Sequence, residues 1–254
     1  MRVQVLPNPK ALGAEAARQA AERLKAAIQA RGAANLILAT GASQFEVLAH
    51  LIQEPGVDWA KVTAFNLDDY PNMDDQHPAS FLRYLRERFV SHVPLKTTHF
   101  VQGDAPNARA ECRRLGELLA RHPVDVALIG IGENGHLAFN DPPADLNTEE
   151  AFLIVKLNTA CRRQQFGEGW FKTLKDVPAT GITMSIRQIL KSACLIVSVP
   201  DQRKAVAVRN AVEGKLTNRC PSSILRLHPD CRLFLDRNSA SLLSLKWVKK
   251  VQGD

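Results

Sequence analysis

The sequence predicts a three-layer α/β/α sandwich built on a mainly parallel sheet. Short apolar runs alternate with amphipathic runs along the chain, the signature of repeated β-then-α units. Several apolar runs are continuous, as in strands covered on both faces. Glycines, serines and asparagines stand at the junctions, where chains turn and helices begin. No linker, internal repeat or low-complexity tract interrupts the pattern, so residues 1–254 read as one domain.

Each element follows in order. Arg2–Leu6 is a short apolar alternation suited to a strand. Ala11–Ala30 sets Ala17, Ala20, Ala21, Leu24 and Ile28 on one stripe with charged residues elsewhere, and Gly32 follows as a C-cap. Leu36–Ala39 is a buried strand, and Ser43–Gln53 a helix whose first serine can cap free N–H groups. Val62–Leu67 (strand), Pro78–Val90 (helix) and Thr98–Val101 (strand) come next. Asn107–Arg121 is helical and Val124–Ile131 is a second buried strand. Farther along come Leu195–Val199 (strand), Asp201–Glu213 (helix ended by Gly214), Arg232–Leu235 (strand) and a helix from about Ser239. Together these describe a mainly parallel, Rossmann-like sheet with helices on both faces.

Composition narrows the class. Apolar residues make up 45% and charged ones 23%, which excludes disorder, collagen and coiled coil. The N-terminus lacks the apolar core of a signal peptide, and no run approaches the roughly 20 residues that span a bilayer. Five cysteines, odd in number and without a CxxC pair, argue against a disulfide framework or zinc site and suit a cytoplasmic protein. Lys and Arg total 33 against 26 Asp and Glu, a net +7 that admits nucleic acid, membrane surface or an anionic metabolite as partner. Basic residues are spread over many helices with few aromatics among them, so nucleic acid fits poorly. The Lys246–Lys250 run reads as the solvated end of a helix rather than a membrane anchor.

In a doubly wound sheet, ligands bind beyond the carboxyl ends of the strands. Three loops there carry candidate chemistry. Thr40, Gly41, Ala42 and Ser43 offer a tight turn, hydroxyls and a helix N-terminus to an anion, although the same residues also suit an ordinary capped turn. Asp68 and Asp69 end a strand side by side. Mutual repulsion and burial would raise the pKa of at least one, as a general base requires, and alternation directs one of the two into the cleft. A solvated loop and metal ligation are the other readings of this pair. The third loop holds Gly130, Gly132 and Gly135 in a G-x-G-x-x-G match, but Pro142 and Pro143 forbid the helix a dinucleotide fingerprint needs. There His136, flanked by Asn134 and Asp141, suits proton transfer. Lys204 adds a cation in the first turn of a helix, where the macrodipole disfavours it unless an anion binds.

Assembled, the segments ATGAS (39–43), VTAFNLDDY (62–70), HPASFLRYL (77–85), IGIGENGHLAFNDP (129–142), KAVAVRNAVEG (204–214) and CPSSILRLHP (220–229) resemble the glucosamine-6-phosphate deaminase family. That family sits in a wider sugar-phosphate group with the 6-phosphogluconolactonases. The resemblance implies conversion of an amino-sugar phosphate and water to fructose 6-phosphate and ammonia, without metal or organic cofactor. It casts Asp68 as the base that moves a proton between C2 and C1. It casts His136, oriented by Asn134 and Asp141, as the ring-opening group. Thr40, Gly41, Ala42, Ser43 and Lys204 become the phosphate cradle. The chain departs from the best-known members at Asn134, where they have Asp, and at Asp141, where they have Glu. The family's phosphate-binding Arg has no clean counterpart, and Arg162 is the candidate. Three other readings compete: a 6-phosphogluconolactonase, an enzyme for another hexosamine phosphate, and a sugar-phosphate-binding regulator. The NGHLAFNDP sequence departs from the lactonase pattern, and no DNA-binding helix-turn-helix precedes Leu36. Self-association into a homo-oligomer stays open.

Overall fold

In the computed structural model, which describes residues 1–244 and 247, strands and helices alternate from the start. β1 (Arg2–Leu6) leads through Asn8, whose side chain accepts from Ala11 N–H, into α1 (Pro9–Arg31). Gly32 closes that helix at φ 75, the left-handed conformation that glycine adopts without a Cβ penalty. β2 (Ala34–Leu38), α2 (Phe45–Leu51), β3 (Val62–Asn66) and the two-residue β4 (Asp68–Asp69) follow. Next come α3 (Phe81–Arg88), β5 (Thr97–His99), α4 (Ala108–Arg121) and β6 (Val126–Ile129). The second half holds β7 (Phe152–Lys156), α5 (Thr159–Gly167), β8 (Thr180–Met184) and α6 (Ile186–Leu190). β9 (Cys194–Val199), α7 (Ala205–Glu213) and β10 (Cys231–Asp236) complete the order.

Among the described residues, a seven-stranded sheet runs β1-β10-β9-β6-β2-β3-β5, every pairing parallel. Both faces are covered, and strand alternation sorts the core. Leu36, Leu38, Val62, Ala64, Val126 and Leu128 pack under α1 and α2. Ile37, Phe65, Ala127, Ile129, Leu195 and Val197 face the opposite layer, with Leu115 of α4 and Val208 of α7. The three-layer parallel architecture expected from the continuous apolar runs is thus the one observed. From β2 the chain winds outward through β3 to β5; it then returns to β6 and winds the other way through β9 and β10. The reversal lies between β2 and β6, so the loops after these strands flank the crevice where such sheets bind ligands.

Several expectations are corrected. Ser43 does not cap α2: residues 42–44 form a 3-10 turn whose N-terminal residue Gly41 has no side-chain cap, and Ser43 Oγ instead accepts from Gln44 Nε2. The helix expected from Ser239 does not begin there. Residues 237–242 form turns in which Asp236 and Ser239 satisfy each other's backbone, and apart from Trp247 the rest of that prediction lies outside the described residues. A small antiparallel sheet, β4-β8-β7, arises from a stretch whose strands the pattern did not single out. Its β7 alternates buried and exposed residues over just five positions, and β4 is too short to register as periodic.

Candidate active site

The crevice at the strand reversal is a cavity of about 320 Å³. The loop after β2 lines it with Thr40, Gly41, Ala42 and Ser43, β4 with Asp68, the loop after β6 with Gly132 and His136, and the turn before α7 with Lys204. Residues far apart in sequence are gathered because their strands are neighbours in the sheet.

Asp68 is placed by Asn66. Its amide donates to the Asp68 carbonyl at 2.9 Å, and its Oδ1 accepts from Val101 N–H at 2.8 Å, so the strand end is tied to its neighbour. Met184 N–H donates to the Leu67 carbonyl at 2.7 Å, and Asp68 then pairs with Thr183 across the small sheet. The two adjacent carboxylates part company there. Asp68 faces the cavity; Asp69 turns away and accepts from the N–H groups of Tyr70, Phe81 and Leu82, anchoring the first turn of α3. Burial pushes the Asp68 carboxyl well above its ordinary range, and the charges of Asp69 and Glu168 add to the shift. Burial also raises Asp69, to about 6, against the pull of its three backbone donors.

His136 sits on a loop that glycine makes possible. Gly132 N–H donates to the His136 carbonyl at 3.0 Å and Gly135 N–H to the Gly132 carbonyl at 2.9 Å, with Gly135 at φ 86. The imidazole lies flat against Gly132, where a Cβ would come within 2.2 Å of the ring. No helix follows the third glycine, as Pro142 and Pro143 led us to expect. Asn140 instead fastens the loop to β8, donating to the carbonyls of Leu137 and Met184. Behind the ring, Asp141 Oδ1 stands 3.3 Å from His136 Nδ1, an ion-pair distance whose alignment falls short of a hydrogen bond. Asn134 bridges the two: its Oδ1 accepts from His136 N–H and its amide donates to Asp141 Oδ1. Burial raises the Asp141 carboxyl, but contacts from His136, Asn158 N–H and Asn134 outweigh it and the net displacement is downward.

Lys204 is 8% exposed, and burial lowers its ammonium from the ordinary value. Asp201 caps the turn that carries it, accepting from Arg203 N–H at 3.0 Å. Arg162, by contrast, is not brought to the cavity. Its guanidinium donates to the carbonyls of Leu174 and Val177, so backbone groups consume the donors that a phosphate would need. Ligand atoms of His136, Asp141 and Cys161 lie within 4.8 Å of one another, a geometry open to a metal ion. Both Asp141 oxygens there already accept, from Asn134 and from Asn158 N–H. Sequence reasoning missed Gln164, Glu168 and Arg203, which also line the cavity. Their locations at a helix end and in a surface turn carry no motif; the glycines on either side of Glu168 are the nearest thing to a signal.

The family described as Glucosamine-6-phosphate isomerases/6-phosphogluconolactonase matches residues 7–233. A glucosamine-6-phosphate deaminase of Lactobacillus delbrueckii subsp. bulgaricus is 32% identical over 96% of this chain and 100% of its own length. One from Streptococcus pneumoniae is 34% identical over 84% of this chain and 89% of its own. Among solved structures, a monomeric glucosamine-6-phosphate deaminase superposes with a TM-score of 0.86 at 31% identity, covering 95% of this chain and 100% of that one. A 6-phosphogluconolactonase from Shewanella baltica shares the fold, with a TM-score of 0.76 at 21% identity over 93% and 97% of the two chains. On a match across most of its length, this chain belongs to the glucosamine-6-phosphate isomerase/6-phosphogluconolactonase family.

Proposed function

We propose that the chain is a glucosamine-6-phosphate deaminase, converting glucosamine 6-phosphate and water to fructose 6-phosphate and ammonia. The observation that carries this reading is the pairing of Asp68 and His136 in one cavity, the first a buried carboxylate with a raised pKa and the second an imidazole backed by Asp141. A raised carboxylate is basic enough to take a carbon-bound proton and acidic enough to give it back.

In this reading His136 moves the proton between the sugar's ring oxygen and its anomeric hydroxyl, opening the ring to the aldehyde. Asp68 removes the C2 proton and returns it to C1, while a proton passes from the nitrogen to the C1 oxygen, leaving an imine at C2. Water adds to that carbon, and the C–N bond breaks to release ammonia and the ketose. Electrons balance within the substrate and no external oxidant or reductant enters. Asn134 and Asp141 hold the imidazole, while the loop 40–43 and Lys204 receive the phosphate. The deaminase reading is favoured over the lactonase because an ester hydrolysis needs no base at C2. Five free thiols favour a reducing, cytoplasmic setting.

The test is turnover of glucosamine 6-phosphate, read as ammonia and fructose 6-phosphate. Asp68→Asn is expected to lower kcat by at least about 10³-fold, from loss of a positioned base, while substrate still binds. Turnover of 6-phosphogluconolactone in place of the amino sugar would overturn the assignment.

A further inference from the structure

The cavity holds an anion of the protein's own. Glu168 follows the last residue of α5, and its carboxylate projects over the loop after β2. Its two oxygens lie 3.5 and 3.7 Å from where a Cβ on Gly41 would stand. This is the surface that the phosphate reading assigns to an incoming anion.

The charges around it are unevenly matched. Arg203 is committed to Asp201 at 2.8 Å and to Glu133 at 3.5 Å. Lys204 and Glu168 feel each other's field, yet neither takes part in an ion pair among the described residues. Among the described residues, the one hydrogen bond to the Glu168 carboxylate is a long 3.5 Å contact from Gln164 Nε2 on the same helix. The carboxylate is thus half-buried, weakly held and set across the cavity from a cation. It lies between Gly167 and Gly169, where an added Cβ would meet nothing within 4 Å, and Gly169 adopts φ 84.

We propose that Glu168 is a specificity-determining residue that occupies the anion cradle when no ligand is bound and competes there with the phosphate group of the substrate. The inference rests on the cradle reading of residues 40–43 and Lys204. A phosphate entering the loop meets a like charge and must displace it, so the pocket takes phosphate esters at a cost set by Glu168. A ligand without a phosphate has nothing to displace it with, which makes the side chain a filter as well as a weight on affinity.

Glu168→Gln keeps shape and removes the charge, and a half-buried position on a glycine-flanked helix end tolerates it. Calorimetry with inorganic phosphate, independent of turnover, is expected to show about tenfold tighter binding in Glu168→Gln than in the parent, from removal of one like charge at close range. Kinetics with glucosamine 6-phosphate should show a similar fall in KM with kcat within about twofold, since uniform binding moves KM alone. Unchanged phosphate affinity overturns the inference even if the enzyme is active. Weaker substrate binding in the variant also overturns it and assigns the carboxylate to the ligand's ammonium instead. Tighter phosphate binding without any turnover supports the inference while the deaminase reading fails. Absence of phosphate binding in both forms removes both.

Discussion

Asp68 and Asp69 differ by one position and in almost nothing else, yet one faces the cavity and the other is wired into α3. Strand alternation explains the divergence and could be read from the sequence; alternation by itself does not say which aspartate is inward, because that depends on which side β8 approaches, and only the family resemblance named Asp68. The consequence is a pH profile. A carboxylate acts as a base only when ionised, and burial raises the pH at which Asp68 ionises. The acid limb of kcat/KM is therefore expected above the ordinary carboxylate value of about 4, with activity rising as pH climbs through it. A limb at the ordinary value would show that Asp68 is not the titrating base. At Lys204 the sequence argument from the helix dipole is joined by depth: with most of the side chain buried, desolvation disfavours the ammonium. The Arg162 expectation failed on a purely local matter. A turn at residues 174–177 presents carbonyls that the guanidinium satisfies, and no spacing rule anticipates which acceptor a long side chain will find.

At the scale of elements, the loop from Gly130 to Asn140 shows how a motif can match by spacing and still serve another purpose. Its glycines fit a dinucleotide fingerprint by spacing, but their duties here are to let the imidazole lie on the backbone and to close two tight turns. Gly132→Ala would drive a methyl into the ring. A displacement of about 1 Å is enough to cost roughly 10²-fold, so kcat/KM should fall by at least that factor while thermal stability changes little. Intact activity in that variant would mean that the ring has another place to go. The β4-β8-β7 sheet is the element that sequence patterning left unread, and it is the one that seats Asp68 and anchors the His136 loop through Thr183, whose Oγ1 accepts from Phe139 N–H at 3.1 Å. Strands this short offer too few positions for a period to emerge, so their existence is decided by what they pack against.

For the whole molecule, the cavity joins loops from β2, β4, β6 and the turn before α7, so a ligand there ties distant parts of the chain to one another. Inorganic phosphate at about 100 times its Kd is expected to add about 2.7 kcal/mol of stability, a rise of roughly 5–10 °C in Tm for a chain of this size. Lys204→Gln should abolish most of that rise; an equal rise in the variant would place the anion elsewhere. The net +7 that at first admitted several anionic partners does not predict this site, which gathers Lys204 and Arg203 beside Glu133, Glu168 and Asp201. By itself the sequence determined the layered parallel fold and the three loops that matter, because apolar periodicity and turn chemistry are local properties that a linear reading captures. The tertiary structure decided that Asp68 is the aspartate facing the cavity, that Arg162 stays out, and that Glu168 stands over the loop at residues 40–43. The first depends on β4 meeting β8 across the small sheet, the second on carbonyls that a nearby turn presents, and the third on the end of α5 reaching a loop far away in the chain.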